Sequence, residues 1–83
     1  MIMKEHLEKE LRRYVIATFD NPTNYVVCNG GGSYSFIDNI QNASKFATEF
    51  AANEIYKSIV AKYHVDLVVL PMCIKYILLE EQE

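Results

Sequence analysis

The chain has no excess of positive charge. Eight Lys and Arg stand against eleven Asp and Glu, a formal charge of −3, with a pI near 5.3. The electrostatic footprint of a nucleic-acid binder is therefore missing. Lys4, Lys9, Arg12 and Arg13 do gather near the start, but Glu5, Glu8 and Glu10 are interleaved with them, which reads as a solvated face. No apolar run approaches the roughly 20 residues of a membrane span. No secretory h-region with a cleavage site and no lipidation motif is recognisable, so the expectation is a protein of the cytoplasm. Cysteine is limited to Cys28 and Cys73. They have neither Cys-x-x-Cys spacing nor a histidine placed to complete a zinc site, and each lies in an apolar run where it reads as a small core hydrophobe. Three Gly and two Pro with 51% hydrophobic residues argue for a compact domain and against disorder.

Catalytic constellations are lacking too. His6 and His64 are the only imidazoles, and neither has an acidic residue or cysteine at a spacing that marks a triad or a metal site. Asp66, two residues after His64, forms at most an exposed cluster with it. Ser33, Ser35, Ser44 and Ser58 read as loop, cap and helix-surface residues. The expectation is a protein that is not an enzyme and needs no cofactor or metal.

What is present reads as one α+β domain over 1–83. Asp38 or Asn39 can cap a helical start, with Gln41 placed to reach back. Thr48 offers a second cap, after which Ala52, Ile55, Tyr56, Ile59, Val60 and Tyr63 recur at the spacing of one buried helical stripe. This predicts the principal helix over about 49–63. Met3, Leu7 and Leu11 recur at i, i+4 and predict a short N-terminal helix over 1–12. Residues 13–19 and 24–28 are rich in Tyr, Val and Ile and read as a hairpin around Asp20-Asn21-Pro22-Thr23. A brief strand is expected over 34–37. Residues 65–79 are β-prone, and Pro71 within them requires a bulge, an edge position or a break. The fold class is thus a small antiparallel sheet packed by one long helix, with the N-terminal helix added: α-β-β-(β)-α-β. Residues 13–79 form its core, and 80–83 an acidic tail.

The last strand carries a constraint. Met72, Ile74, Tyr76 and Leu78 point one way while Cys73, Lys75, Ile77 and Leu79 point the other, so both faces are mainly apolar. One helix covers only one of them. The other cover must come from the N-terminal helix or a second subunit, and a homodimer is expected.

Tyr14-Val15-Ile16, Tyr25-Val26-Val27, the glycines Gly30 to Gly32, Ala43-Ser44-Lys45-Phe46-Ala47-Thr48 and Leu70-Pro71-Met72-Cys73-Ile74 resemble the pattern of short phage and prophage accessory proteins of Gram-positive bacteria. The likeness spans residues 13–79. It implies a viral or mobile-element origin and supplies no catalytic residues. The function it implies is stoichiometric binding, in the host cytoplasm, to a host or bacterial-defence protein, as an inhibitor such as an anti-CRISPR or other anti-defence protein.

Two candidate sites centre on the glycine run. Tyr25, Tyr34 and Phe36 flank Gly30, Gly31 and Gly32, and together they could form an aromatic protein-binding patch. Alternatively, the consecutive N–H groups could cradle an anion, with Ser33, Arg12, Arg13 and Lys45 as partners, in an oligomeric sponge for a nucleotide or other anionic small molecule. The run lacks the Lys of a P-loop and does not open a helix. A structural subunit of a phage assembly is the third reading.

Overall fold

The computed structural model describes residues 2–19 and 23–82. In chain order it contains β1 (Ile2–Thr18), β2 (Tyr25–Gly30), β3 (Ser33–Ile37), a 3-10 turn (Ile40–Asn42), α1 (Glu49–Tyr63) and β4 (Leu67–Gln82). The strands form one antiparallel sheet in the order β3-β2-β1-β4. The expected α+β class, with one long helix on an antiparallel sheet, is what forms. Asp20, Asn21 and Pro22, on which the hairpin turn was expected, lie outside the described residues.

The N-terminal helix is not formed; residues 2–12 belong to β1. The reason lies in the spacing that suggested a helix. Residues four apart share a helical face, but four is also an even number, so the spacing suits a regular strand as well and does not discriminate; in the strand that forms, a register shift between Leu7 and Lys9 parts Leu7 from Leu11. Three apolar residues on a narrow seam bury little as a helix. As a strand, the segment pairs along its whole length with β4, from Ile2 opposite Gln82 to Thr18 opposite Leu67, and the ladder overrides helix propensity. The acidic end is drawn in as well, since β4 runs through residue 82, and the Glu80 carboxylate accepts a hydrogen bond from the His6 ring at 2.8 Å.

Pro71 takes an edge position. The Tyr14 N–H donates to the Phe46 carbonyl at 2.9 Å and the Tyr14 carbonyl accepts from the Phe46 N–H at 2.8 Å, so both Tyr14 groups face away from β4. Tyr14 stands opposite Pro71, and in an antiparallel ladder such a pair exchanges no hydrogen bonds. The missing proline N–H therefore falls on the outer edge of β4, where no ladder bond is lost.

The principal helix forms over the expected residues. The Thr48 hydroxyl caps it by accepting from the Ala51 N–H at 3.1 Å, and His64 ends it in the left-handed region at φ 54°. Asn39 rather than Asp38 caps the preceding 3-10 turn, its side chain accepting from the Gln41 N–H. Ala52 and Ile59 are fully buried. Ile59 joins Ile16, Val26 and Leu67 in the main core, with Ile55, Tyr56, Val60, Phe46, Cys28 and Val69 packed around it. We call this helix side the front of the sheet. Phe50 is 75% exposed, because it sits on the first turn away from the buried stripe.

Of the two cysteines, Cys28 packs against the core, whereas Cys73 is exposed. Cys73 lies beyond the end of the covered sheet, so an apolar run did not guarantee burial. The expected result of thiol labelling at neutral pH is one thiol that reacts rapidly, Cys73, and one that reacts far more slowly, Cys28. Equal rates would contradict this placement.

Candidate functional site

The molecule measures 57 × 24 × 22 Å, and its radius of gyration is 16.3 Å; a compact chain of this length has about 12 Å. The excess comes from a two-stranded arm. Beyond Tyr14 the described residues give β1 no strand partner except β4, so residues 2–12 and 73–82 continue as a ribbon past the helix-covered core.

A bulge aims the side chains of this arm. The register shifts between Leu7 and Lys9, leaving Glu8 as the extra residue and turning Leu7 to the face opposite Leu11. Strand alternation then places Leu7, Ile77 and Leu79 on the front and Leu11, Ile74, Tyr76 and Leu78 on the back. Their exposures are large: Leu7 58%, Tyr76 53%, Ile77 48%, Leu78 56% and Leu79 54%. The β4 half of the arm is mainly apolar on both faces, as its sequence indicated, while β1 sets Glu5, Glu10 and Arg12 beside it on the front and Lys9 and Arg13 on the back. A shallow depression at the base of the arm is lined by Arg12, Pro71, Met72 and Cys73.

The glycine run is a tight hairpin turn. Gly30 pairs with Ser33, leaving Gly31 and Gly32 as a two-residue loop at φ +58° and +76°, the left-handed pair that a type I′ hairpin requires. A Cβ at Gly32 would meet no atom within 4 Å, so the demand is on the backbone alone. Gly32→Ala is expected to cost about 1–2 kcal/mol in chemical denaturation, with Asn at the same position recovering part of it. No loss with Ala would show the turn to be of another type.

The aromatic candidates fall on both sides of the sheet. Tyr34 and Phe36, opposite Cys28 and Val26, lie on the front of β3, a free sheet edge. Tyr34 packs edge-on against Tyr63 with ring centroids 6.4 Å apart, and Phe36 and Tyr63 are each 42% exposed. Tyr25, adjacent to Val26, points to the back and sits at the end of β2 far from the glycines. An aromatic patch therefore exists beside the turn, made of Tyr34, Phe36 and Tyr63 without Tyr25. Tyr63, expected in the buried stripe of the helix, is instead exposed at the end of α1, from where it reaches β3.

The basic candidates are not gathered at Gly30, Gly31 and Gly32. The Arg13 guanidinium donates to the Arg12 carbonyl at 2.8 Å, and Arg12 lies 5.8 Å from the Tyr14 ring centroid. The Lys45 ammonium donates to the carbonyls of Gln41 and Ala43 at 2.7 and 3.2 Å. The ammonium that reaches the turn is Lys62, on the last turn of α1, which donates to the Gly32 carbonyl at 3.2 Å. Ser33 closes the hairpin. Among the described residues no three His, Cys, Asp or Glu side chains are grouped to hold a metal ion, and no helix is long and apolar enough to cross a membrane. No protein-family profile, curated protein or solved structure matches the chain.

Proposed function

We propose that this protein acts by binding another protein stoichiometrically, with the Tyr34–Phe36–Tyr63 patch and the adjoining glycine turn as the partner surface. One observation carries the reading: a domain of this size presents two separate apolar surfaces, the arm and the β3 edge, where self-association needs only one. Aromatic side chains with a polar tip on a rigid sheet edge supply the anchors on which interfaces depend. The resemblance to phage accessory proteins points to a host or bacterial-defence protein as the partner, with inhibition as the outcome.

Affinity capture from host lysate with the wild-type protein and with Phe36→Glu tests this. Phe36 is partly exposed on an edge strand, so the variant is expected to fold and to lose the captured protein. Recovery of the same proteins by both would contradict the assignment of the surface.

A further inference from the structure

We propose that the partner of the Tyr34–Phe36–Tyr63 patch binds as an added β-strand, an extended segment pairing antiparallel with the free edge of β3. The inference rests on the partner reading and says how that surface is recognised, through the backbone of Tyr34 and Phe36 as well as through their rings.

Hydrogen bonds on the far side of β2 fix the direction in which the β3 backbone points. The Cys28 N–H donates to the Ser44 hydroxyl at 2.8 Å, and the Val26 carbonyl accepts from the Ser44 N–H at 3.0 Å. Two residues after Ser44, Phe46 bridges to Tyr14 of β1, so this segment lies on the side of β2 turned away from β3. Both backbone groups of a residue in an antiparallel strand point to one side. Val26 and Cys28 are therefore not hydrogen-bonded to the residues opposite them, Phe36 and Tyr34. The N–H and C=O groups of Tyr34 and Phe36 face outwards instead, where β3 has no neighbouring strand. The same two residues thus present four backbone groups and the rings of the patch.

Among the described residues three strand edges are open, and they are not alike. The outer edge of β4 carries Pro71, which lacks a donor, and Lys75. The β1 edge of the arm carries the bulge at Glu8 and charges at Lys4, Glu5, Lys9 and Glu10. Proline, lysine and bulges are the devices that keep an edge from pairing. β3 reads Ser-Tyr-Ser-Phe-Ile and has none of them.

The register defines the ligand. In an antiparallel segment one residue pairs with Phe36 and the next but one with Tyr34, each exchanging two hydrogen bonds. Their side chains fall on the front beside the two rings and Tyr63, where apolar groups fit, and the residue between them falls beside Ser35 on the back. Two places further along, at the glycine turn, stands the exposed Lys62, whose ammonium donates to the Gly32 carbonyl at 3.2 Å. The ion pairs of the described residues, His6–Glu80 and Lys57–Glu54, leave Lys62 without a carboxylate. An acidic side chain at that place complements it. The ligand is an extended peptide segment of the order apolar–any–apolar–any–acidic.

A displayed library of random dodecapeptides, selected on the wild-type protein, is the probe, with amide hydrogen exchange measured before and after the enriched peptide is added. In the free protein the Ser35 amide is expected to be protected by the hairpin while those of Tyr34 and Phe36 exchange freely. The enriched peptides are expected to carry the alternating pattern and to protect the Tyr34 and Phe36 amides on binding. Phe36→Glu is expected to weaken that binding at least about 30-fold, the loss of one anchor. Exchange is read on the wild type, so the test does not depend on the folding of the variant. Binding that Phe36→Glu abolishes but that leaves the two amides unprotected would overturn the added strand and leave the surface assignment standing. Peptides that bind Phe36→Glu as tightly as the wild type would overturn both. No enrichment, or Tyr34 and Phe36 amides as protected as that of Ser35 in the free protein, would overturn the added strand.

Discussion

Truncating Ile59 to Ala is expected to cost about 3–5 kcal/mol of unfolding free energy, the upper part of the range for a large-to-small core substitution. Ile59 is 0% exposed and packs in one cluster with Ile16, Val26 and Leu67, so its loss removes the contact between α1 and three strands simultaneously. Neighbouring side chains cannot easily collapse into the space. Ile16 and Val26 are held in register by the strands on either side, and the helix is fixed by its Thr48 cap. A domain of this size has only a few kcal/mol to lose, so the variant should be largely unfolded at moderate temperature. Ile55, packed at the margin of the same cluster, should cost less on truncation, about 1–2 kcal/mol. Urea melts monitored by circular dichroism check the order. A larger effect at Ile55 than at Ile59 would place the helix on a different face.

The second large effect concerns the ladder. If Tyr14 and Pro71 exchange no hydrogen bonds, then Arg13 and Met72, the next pair in register, must exchange both. Met72→Pro therefore removes a ladder donor at the junction of core and arm, and is expected to destabilise the protein by about 3 kcal/mol. Pro71→Ala restores a donor only to the outer edge. Its expected cost is under about 1 kcal/mol, arising from the freer unfolded chain. The pair of variants reads the register directly, because a shift of one residue exchanges their effects. Equal costs at 71 and 72 would contradict it.

The principal helix was legible to the residue because three signals agree over 48–63: a Thr cap, an apolar stripe at helical period and a run of good helix formers. The hairpin over β1 and β2 and the short β3 were legible from β-branched and aromatic runs between turn residues. Residues 2–12 were not. The spacing of Met3, Leu7 and Leu11 suits a helical seam and a regular strand equally, and the strand that forms has a bulge which sets Leu7 and Leu11 on opposite faces. Only β4 decides between them, and it lies more than fifty residues away in sequence. The bulge at Glu8 leaves no local signature at all. The two-faced character of β4 was readable from its own alternation, and it is the feature from which both the arm and its need for a cover follow. The candidate site was legible in part: Tyr34 and Phe36 beside the glycines are together, while Tyr25 is separated from them by the parity of β2. Lys62 and Tyr63 join from α1 through contacts that no spacing announces.

Through-space proton contacts along the arm test the central claim most directly, that β1 and β4 form one continuous bulged ribbon with apolar side chains on both faces. Opposed residues that exchange no hydrogen bonds bring their Cα atoms to about 4.5 Å in an antiparallel pair. The ribbon therefore predicts strong Hα–Hα contacts between Glu10 and Lys75 and, across the bulge, between Leu7 and Ile77 in nuclear magnetic resonance spectra. Strong sequential amide–amide contacts through residues 4–11, the mark of a helix, would contradict it, as would a contact from Ile77 to Glu8 in place of Leu7.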